Sequence, residues 1–325
     1  MAYPVNATPW PTGSANPDPA YTGVFIPTIW SGKLIEKFYD ASVIPAIANT
    51  DYEGEISSYG DKVVIRQQPD ISINAYEAEQ ALAFERPSAS IVELLIDKGY
   101  YFNTILDDVM EVQSDLDQLS MWSDDASEQM KIQIDTEVLH NELLDGADAA
   151  NKGATAGRKS GNVDLGVTTS PLVITPRAPQ AGETEVIDVI TRLGQVLDEQ
   201  NIPETGRWMV IPAWMAAMIK RSELRDAALT GDGSSILRNG RLGSIDRFTV
   251  YLSNLLPDGN HDSLAAGEFA IFAGHSVGFT FASQMSKVET LRGESTFGTI
   301  LRGLQVYGRK VTKGTAVAEA IVKAA

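Results

Sequence analysis

From Val109 to Asp145 the chain runs 37 residues without a proline. Val109, Val112, Leu116, Leu119, Ala126, Met130, Ile134 and Val138 recur at three- and four-residue steps, the spacing of one face of an α-helix. Gly146 stands where such a helix would stop. At 1.5 Å per residue the pattern predicts a rod of roughly 55 Å. Its other face is acidic. Between Asp107 and Asp148 thirteen Asp or Glu stand against one basic residue, Lys131, a balance of −12 within a chain whose net charge is −17. A solvated helix surface is the plain reading of that face.

The segments before the rod read differently. The first 23 residues carry five prolines among Asn, Thr, Ser and Gly, which predicts a disordered segment or an extended arm reaching at most about 75 Å. Trp30, Leu34, Ile35 and Phe38 fit a short amphipathic helix over Ile29–Tyr39. Ile71, Ile73 and Ala75 alternate with polar residues and Ile91–Ile96 is β-rich, so strands are expected to bracket a polar middle. From Gln67 to Ser90 large apolar residues are few, which predicts a long hairpin or loop reaching away from any core.

After the rod, the glycine-rich stretch 149–166 reads as a mobile loop. Val186, Ile187, Ile190, Leu193 and Leu197 mark a helix face, and Arg207–Ile211 a buried strand. Pro212 suits the first turn of a following helix. Alternation at Phe248, Val250 and Leu252, at Phe269 and Ile271, and at Phe279 and Phe281 gives further strands. Helices and strands mix without a regular βαβ repeat, so the fold class is α+β.

Chemistry is poorly supplied. There is no cysteine, which removes disulfides, thiolate metal sites and a cysteine nucleophile. The three histidines, His140, His261 and His275, are far apart in sequence, and His275 reads as a structural residue at a strand end. Asp107–Asp108 and Asp124–Asp125 are paired only in sequence, and neighbours on a helix point apart. No catalytic constellation, cofactor site or metal site is expected. The start lacks the basic residues and apolar run of a signal peptide, and no stretch is long enough to span a membrane, so a soluble protein made in the cytoplasm is expected. The acidic balance is the wrong sign for gripping nucleic acid.

The stretch VETLRGESTFGTILRGLQVYGRKV, Val288–Val311, is the basic counterpart of the rod. Val288–Lys313 holds five Arg or Lys against Glu289 and Glu294. Gly293 and Gly298 have the spacing of a phosphate loop, but Thr299 and Ile300 replace its lysine and hydroxyl residue. Gly303 and Gly308 are followed by Arg309, Lys310 and Val311, with no helix behind them. Strand residues that face carboxylates, with glycines permitting bends and close backbone approach, fit the stretch better.

Five segments in this order carry a resemblance: FIPTIWSGKLIEKFYDASV, GDKVVIRQQPDISINAY, IPETGRWMVIPAWMAAMI, SIDRFTVYLSNLLP and LRGESTFGTILRGLQVYGRKV. Together they resemble the major capsid proteins of tailed double-stranded DNA bacteriophages, of the HK-type capsid fold. The resemblance implies an N-terminal arm over 1–58, an extended β-loop over 59–92, and a peripheral domain with a long spine helix over 93–182. An axial domain over 183–274 and a return to the peripheral domain over 275–325 complete it. It implies a non-enzymatic protein that assembles with itself into hexamers and pentamers. Their shell would enclose double-stranded DNA without sequence-specific or membrane contact.

By the same resemblance the protein belongs in the virion capsid, assembled in the host cytoplasm with portal and separate scaffolding proteins, a decoration protein being left open. Arg66, Arg86, Arg292, Arg302 and Arg309 become candidates for contacts with carboxylates of adjacent copies. Asp117, Asp124, Glu128 and Asp135 become candidates for the inner, lumenal surface. Two rivals stand beside this reading: the shell of a bacterial nanocompartment with the same fold, and a hydrolase whose carboxylate pair forms only on folding.

Overall fold

The computed structural model describes residues 40, 42–52, 62–69, 71–82, 84–88, 91–113, 117–144, 146–222, 243–261, 263–293 and 297–325. The expected helix over Ile29–Tyr39 and the proline-rich start lie outside them. A single-turn helix, α1 (Ile44–Ile47), is followed by β1 (Lys62–Arg66) and β2 (Ile91–Leu95). Strand β3 (Lys98–Asp107) runs directly into α2 (Asp108–Gln113). Then comes α3 (Gln118–Val138), whose end widens into a π-type turn over Leu139–Leu143. Next are β4 (Leu172–Thr175), β5 (Glu183–Glu185), α4 (Val186–Glu199), β6 (Arg207–Ile211) and α5 (Ala213–Arg221). The chain finishes with β7 (Ser244–Ile245), β8 (Phe248–Leu252), β9 (Glu268–His275), β10 (Phe279–Arg292), β11 (Gly298–Val311) and β12 (Val317–Ala324).

The main core is a mixed seven-stranded sheet in the order β5-β4-β12-β9-β6-β8-β7. Successive side chains of a strand point to opposite faces, and the central strands are apolar on both. Met209, Ile211, Ile271, Ala273, Ala318 and Ala320 point to one face, which α4 and α5 cover with Val189, Ile190, Leu193, Met215 and Ile219. Trp208, Val210, Ala270, Phe272, Val317 and Ile321 point to the other, against Leu139 and Leu143 of the π turn and Val43, Ile44 and Ile47 around α1. A second, antiparallel sheet has the order β10-β11-β3, and β1 and β2 pair as a separate hairpin from Lys62↔Leu95 to Arg66↔Ile91.

Several expectations change. The helix over Val109–Asp145 is not one rod. Asp117 sits at non-helical dihedrals and its side chain accepts a hydrogen bond from Ser120 N–H, so it caps a new helix instead of continuing the old one. The 21 residues of α3 span about 31 Å, and α2 before it buries nothing. Ile71–Glu77 forms no strand and is exposed throughout.

The glycine-rich stretch after α3 is tied down rather than loose. Asn151 is fully buried and donates through Nδ2 to the carbonyls of Thr315 (2.8 Å) and Val317 (2.9 Å). Ala156, Val163 and Leu165 join the main core. The segment 275–325 also divides between sheets: β10 and β11 lie in the three-stranded sheet, but β12 lies inside the seven-stranded one, antiparallel to β9 and parallel to β4. Its alternating apolar residues need partners on both faces, and only the larger sheet supplies them.

Candidate assembly surface

The basic stretch of the sequence runs from the end of β10 through β11, and its arginines face carboxylates of the same chain. Arg302 lies directly opposite Glu289 of β10, and its Nε and Nη2 donate to Glu289 Oε2 at 3.1 and 2.7 Å. Lys287 on one side and Arg302 on the other hold the Glu289 carboxyl below the usual carboxylate range. Arg292 makes a bidentate pair with Asp108, the first residue of α2. Both arginines remain exposed at their outer edges.

Arg309 is a correction. Its side chain is only 8% exposed, so it is unavailable to another copy. It pairs with Glu137 of α3, donates to the Glu137 carbonyl at 3.1 Å, and approaches Glu142 at 4.0 Å. Tyr307 donates its hydroxyl to the second oxygen of Glu137 at 3.0 Å. Burial, with the Glu137 charge beside it, raises the Tyr307 pKa, so the phenol stays a donor. This cluster locks β11 to the end of α3.

Asp135 is a second correction. It is 2% exposed and accepts from Val43 N–H at 2.7 Å. Burial raises its pKa, and hydrogen bonds from Val43, Ser42 and Ile44 counter that shift. It fastens the chain entering α1 to α3 and faces no lumen. Asp117 and Asp124 are exposed, and Glu128 pairs with Lys131 at 2.5 Å on the solvent side. Arg66 and Arg86 are exposed and have no ion-pair partner among the described residues.

A buried cation, Arg207, gives little sign of itself in the sequence. Arg207 opens β6 with its side chain fully enclosed, donating to Asp198 at 2.7 Å and to the carbonyls of Ile202 (2.6 Å) and Pro203 (2.9 Å). Arg247 reaches the same Asp198 at 2.8 Å and Glu204 at 3.0 Å. Burial works against the Asp198 charge, but the two arginines outweigh it and lower its pKa. An arginine heading an apolar run was the available signal.

The glycines of β11 mark close approaches. A Cβ on Gly303 would lie 2.2 Å from the Phe102 ring, and one on Gly308 would lie 2.4 Å from the Leu95 carbonyl oxygen. A ring can swing aside and a strand carbonyl cannot. Gly308→Ala is therefore expected to destabilise the isolated subunit by about 1–3 kcal/mol and Gly303→Ala by less, as read by denaturant unfolding.

The chain also leaves large apolar side chains uncovered. Ile71, Ile73, Tyr76, Leu82 and Phe84 project from the β1–β2 hairpin, Phe84 being 98% exposed. Val109, Met110 and Val112 of α2 and Phe297 at the β10–β11 turn are exposed, and Asp108 N–H bonds the Phe297 carbonyl. On the open face of the three-stranded sheet, Tyr101, Ile105, Leu291 and Leu304 surround the Arg302–Glu289 pair. Apolar exposure on this scale marks surfaces that are covered by other molecules.

Residues 100–324 match the family model described as phage capsid protein. The chain belongs to the phage capsid protein family. Chains of solved phage structures share its fold. One from Mycobacterium phage Che8 superposes with a TM-score of 0.72 at 24% identity, covering 93% of this chain and 98% of that one. A chain from the capsid of cyanophage P-SCSP1u gives 0.67 at 16% identity over 93% of each. One from the mature capsid of bacteriophage PhiM1 gives 0.67 at 12% identity over 92% of each. No curated protein sequence matches this chain. The capsid protein has the α+β HK-type fold and is a structural component of a virion shell. Among the described residues no helix is long and apolar enough to cross a membrane.

Proposed function

We propose that this capsid protein assembles as hexamers and pentamers into a closed icosahedral shell around a double-stranded DNA genome, and that it does so without catalysing a reaction. The observation that carries this reading is the set of apolar side chains left bare on the hairpin, on α2 and on the open sheet face. Each is a surface a lone subunit would not keep in water. In this reading residues 59–92 are the extended loop that lies over a neighbour. The three-stranded sheet with α3 forms the peripheral domain, and the seven-stranded sheet, β12 included, forms the axial domain. Arg66, Arg86, Arg292 and Arg302 meet carboxylates of adjacent copies. A separate scaffolding protein and a portal complete assembly in the host cytoplasm. Expression with the neighbouring scaffold gene, followed by sedimentation and electron microscopy, tests the reading. Shells, tubes or capsomers support it, and monomers or dimers under every condition overturn it. An enzyme or a nanocompartment shell is not favoured by the family match.

The exposed acids of α3 fit the inner wall. Carboxylates there repel DNA phosphates and avoid the counterion-release attraction of a basic wall, so the genome leaves freely. Screening limits this repulsion to about 8 Å at physiological salt, so it acts on DNA in near contact. Asp117 is left in place because it caps α3, and replacing Asp124 and Glu128 together by lysine is expected to preserve shells but slow genome release or trap host nucleic acid. Normal packaging and ejection by the lysine variant would refute the placement.

A further inference from the structure

His140 and His261 are 121 residues apart in sequence, yet their rings meet edge to face with centroids 5.2 Å apart. His140 belongs to the π turn that ends α3, a type of turn that interrupts the regular helix ladder. His261 belongs to the turn after β8 that leads into β9 of the seven-stranded sheet, where its N–H donates to the Asp258 carbonyl at 2.9 Å. The two half-buried rings therefore join the end of α3 to the larger sheet.

Their hydrogen bonds fix His261 as a neutral imidazole and place a proton on one ring nitrogen of His140. His140 Nε2 lies 3.2 Å from the Leu255 carbonyl, which can only accept, so this nitrogen carries the proton. His261 Nδ1 lies 3.3 Å from Ser263 N–H, which can only donate, so this nitrogen presents its lone pair. A proton added at His261 Nδ1 breaks that bond, and charge on both rings sets two cations side by side. We propose that the His140–His261 contact is a proton-operated joint between the end of α3 and the 258–261 turn, closed while both rings are neutral and loosened when protons add.

The surrounding charges do not neutralise it. Glu137 and Glu142, on the same helical stretch as His140, are engaged by Arg309, Tyr307 and Lys310. Asp258 is the described acid facing the pair, and its carboxylate accepts from Asn260 at 3.1 and 3.0 Å. Glu268, at the start of β9, accepts from Ala265 N–H. Asp262 lies outside the described residues. Burial first, and the charge of His261 second, lower the His140 pKa, against smaller opposing pulls from the Leu255 carbonyl and Asp258. A lowered histidine pKa means that the opened form binds the proton more readily. The joint is thus fully closed above the ordinary histidine value of 6.5 and weakens as the pH falls through it.

Hydrogen–deuterium exchange of assembled shells, corrected for intrinsic rates, at about pH 7.5 and about pH 5 reads the joint directly. Exchange in peptides spanning 136–145 and 253–264 is expected to rise about tenfold on acidification, while β12 stays protected. His261→Asn keeps an acceptor for Ser263 N–H but cannot charge, and is expected to abolish the rise. Equal protection at both pH values, a rise shared by β12, or the same rise in His261→Asn overturns the proposal. If His261→Asn forms no shells, the wild-type series decides alone: a rise confined to the two peptides supports the joint, and any other pattern overturns it.

Discussion

Deleting Gln67–Arg86 is expected to abolish shell formation while leaving a subunit that unfolds cooperatively. Arg66 and Ile91 are register partners at the open end of the β1–β2 pair, so the four remaining residues, Pro87–Ser90, suffice to close a short hairpin. The described residues removed contribute nothing to the buried core, and only Gln67 ties back to the body, through Thr312 O at 2.9 Å. What is lost is Ile71, Ile73, Tyr76, Leu82 and Phe84, the largest bare apolar set among the described residues. Sedimentation with scaffold should show capsomers or monomers in place of shells. Intact shells from the deletion would show that this hairpin is dispensable for assembly, and loss of cooperative unfolding would place it within the fold.

The second large effect is expected at Glu137. Replacing it by Ala leaves the Arg309 guanidinium enclosed without its main counter-charge and strips Tyr307 of its acceptor. Breaking one side of a buried ion pair costs about 3–5 kcal/mol, because the other charge stays desolvated. Glu142 approaches Arg309 only at 4.0 Å and is shared with Lys310, so it compensates little. The Glu137→Ala subunit should therefore unfold at markedly lower denaturant than wild type, and Arg309→Met in that background should recover part of the loss. An unchanged midpoint would mean that the cluster is not closed in solution.

Local patterns in the chain were legible wherever burial followed one element's own period. Arg207–Ile211 reads as a central strand because both of its faces are covered, and α4 reads from one apolar stripe. Val109 and Val112 show where periodicity misleads. An apolar stripe says that something covers it, not whether the cover is the same chain, and on α2 both residues are bare. Asp135 looked like one more acid on a solvated helix, because its burial depends on Val43, 92 residues away. Arg309 looked like a free basic residue for the same reason, its partner Glu137 being 172 residues away. Residue type and spacing carry no record of such distant pairs.

The position of β12 has a consequence for when a subunit becomes usable. Strands β4 and β5 connect to the rest of the seven-stranded sheet only through β12, which lies between β4 and β9. A nascent chain that has reached Ala316 has made all the other strands, yet it cannot close this sheet. Its β9 edge is open, and the Asn151 side chain lacks the Val317 carbonyl. Pairing of strands this far apart is slow, since the connecting loops must be closed before any contact rewards them. The sheet becomes one body only when residues 317–324 are in place, because they alone join β4 and β5 to β9.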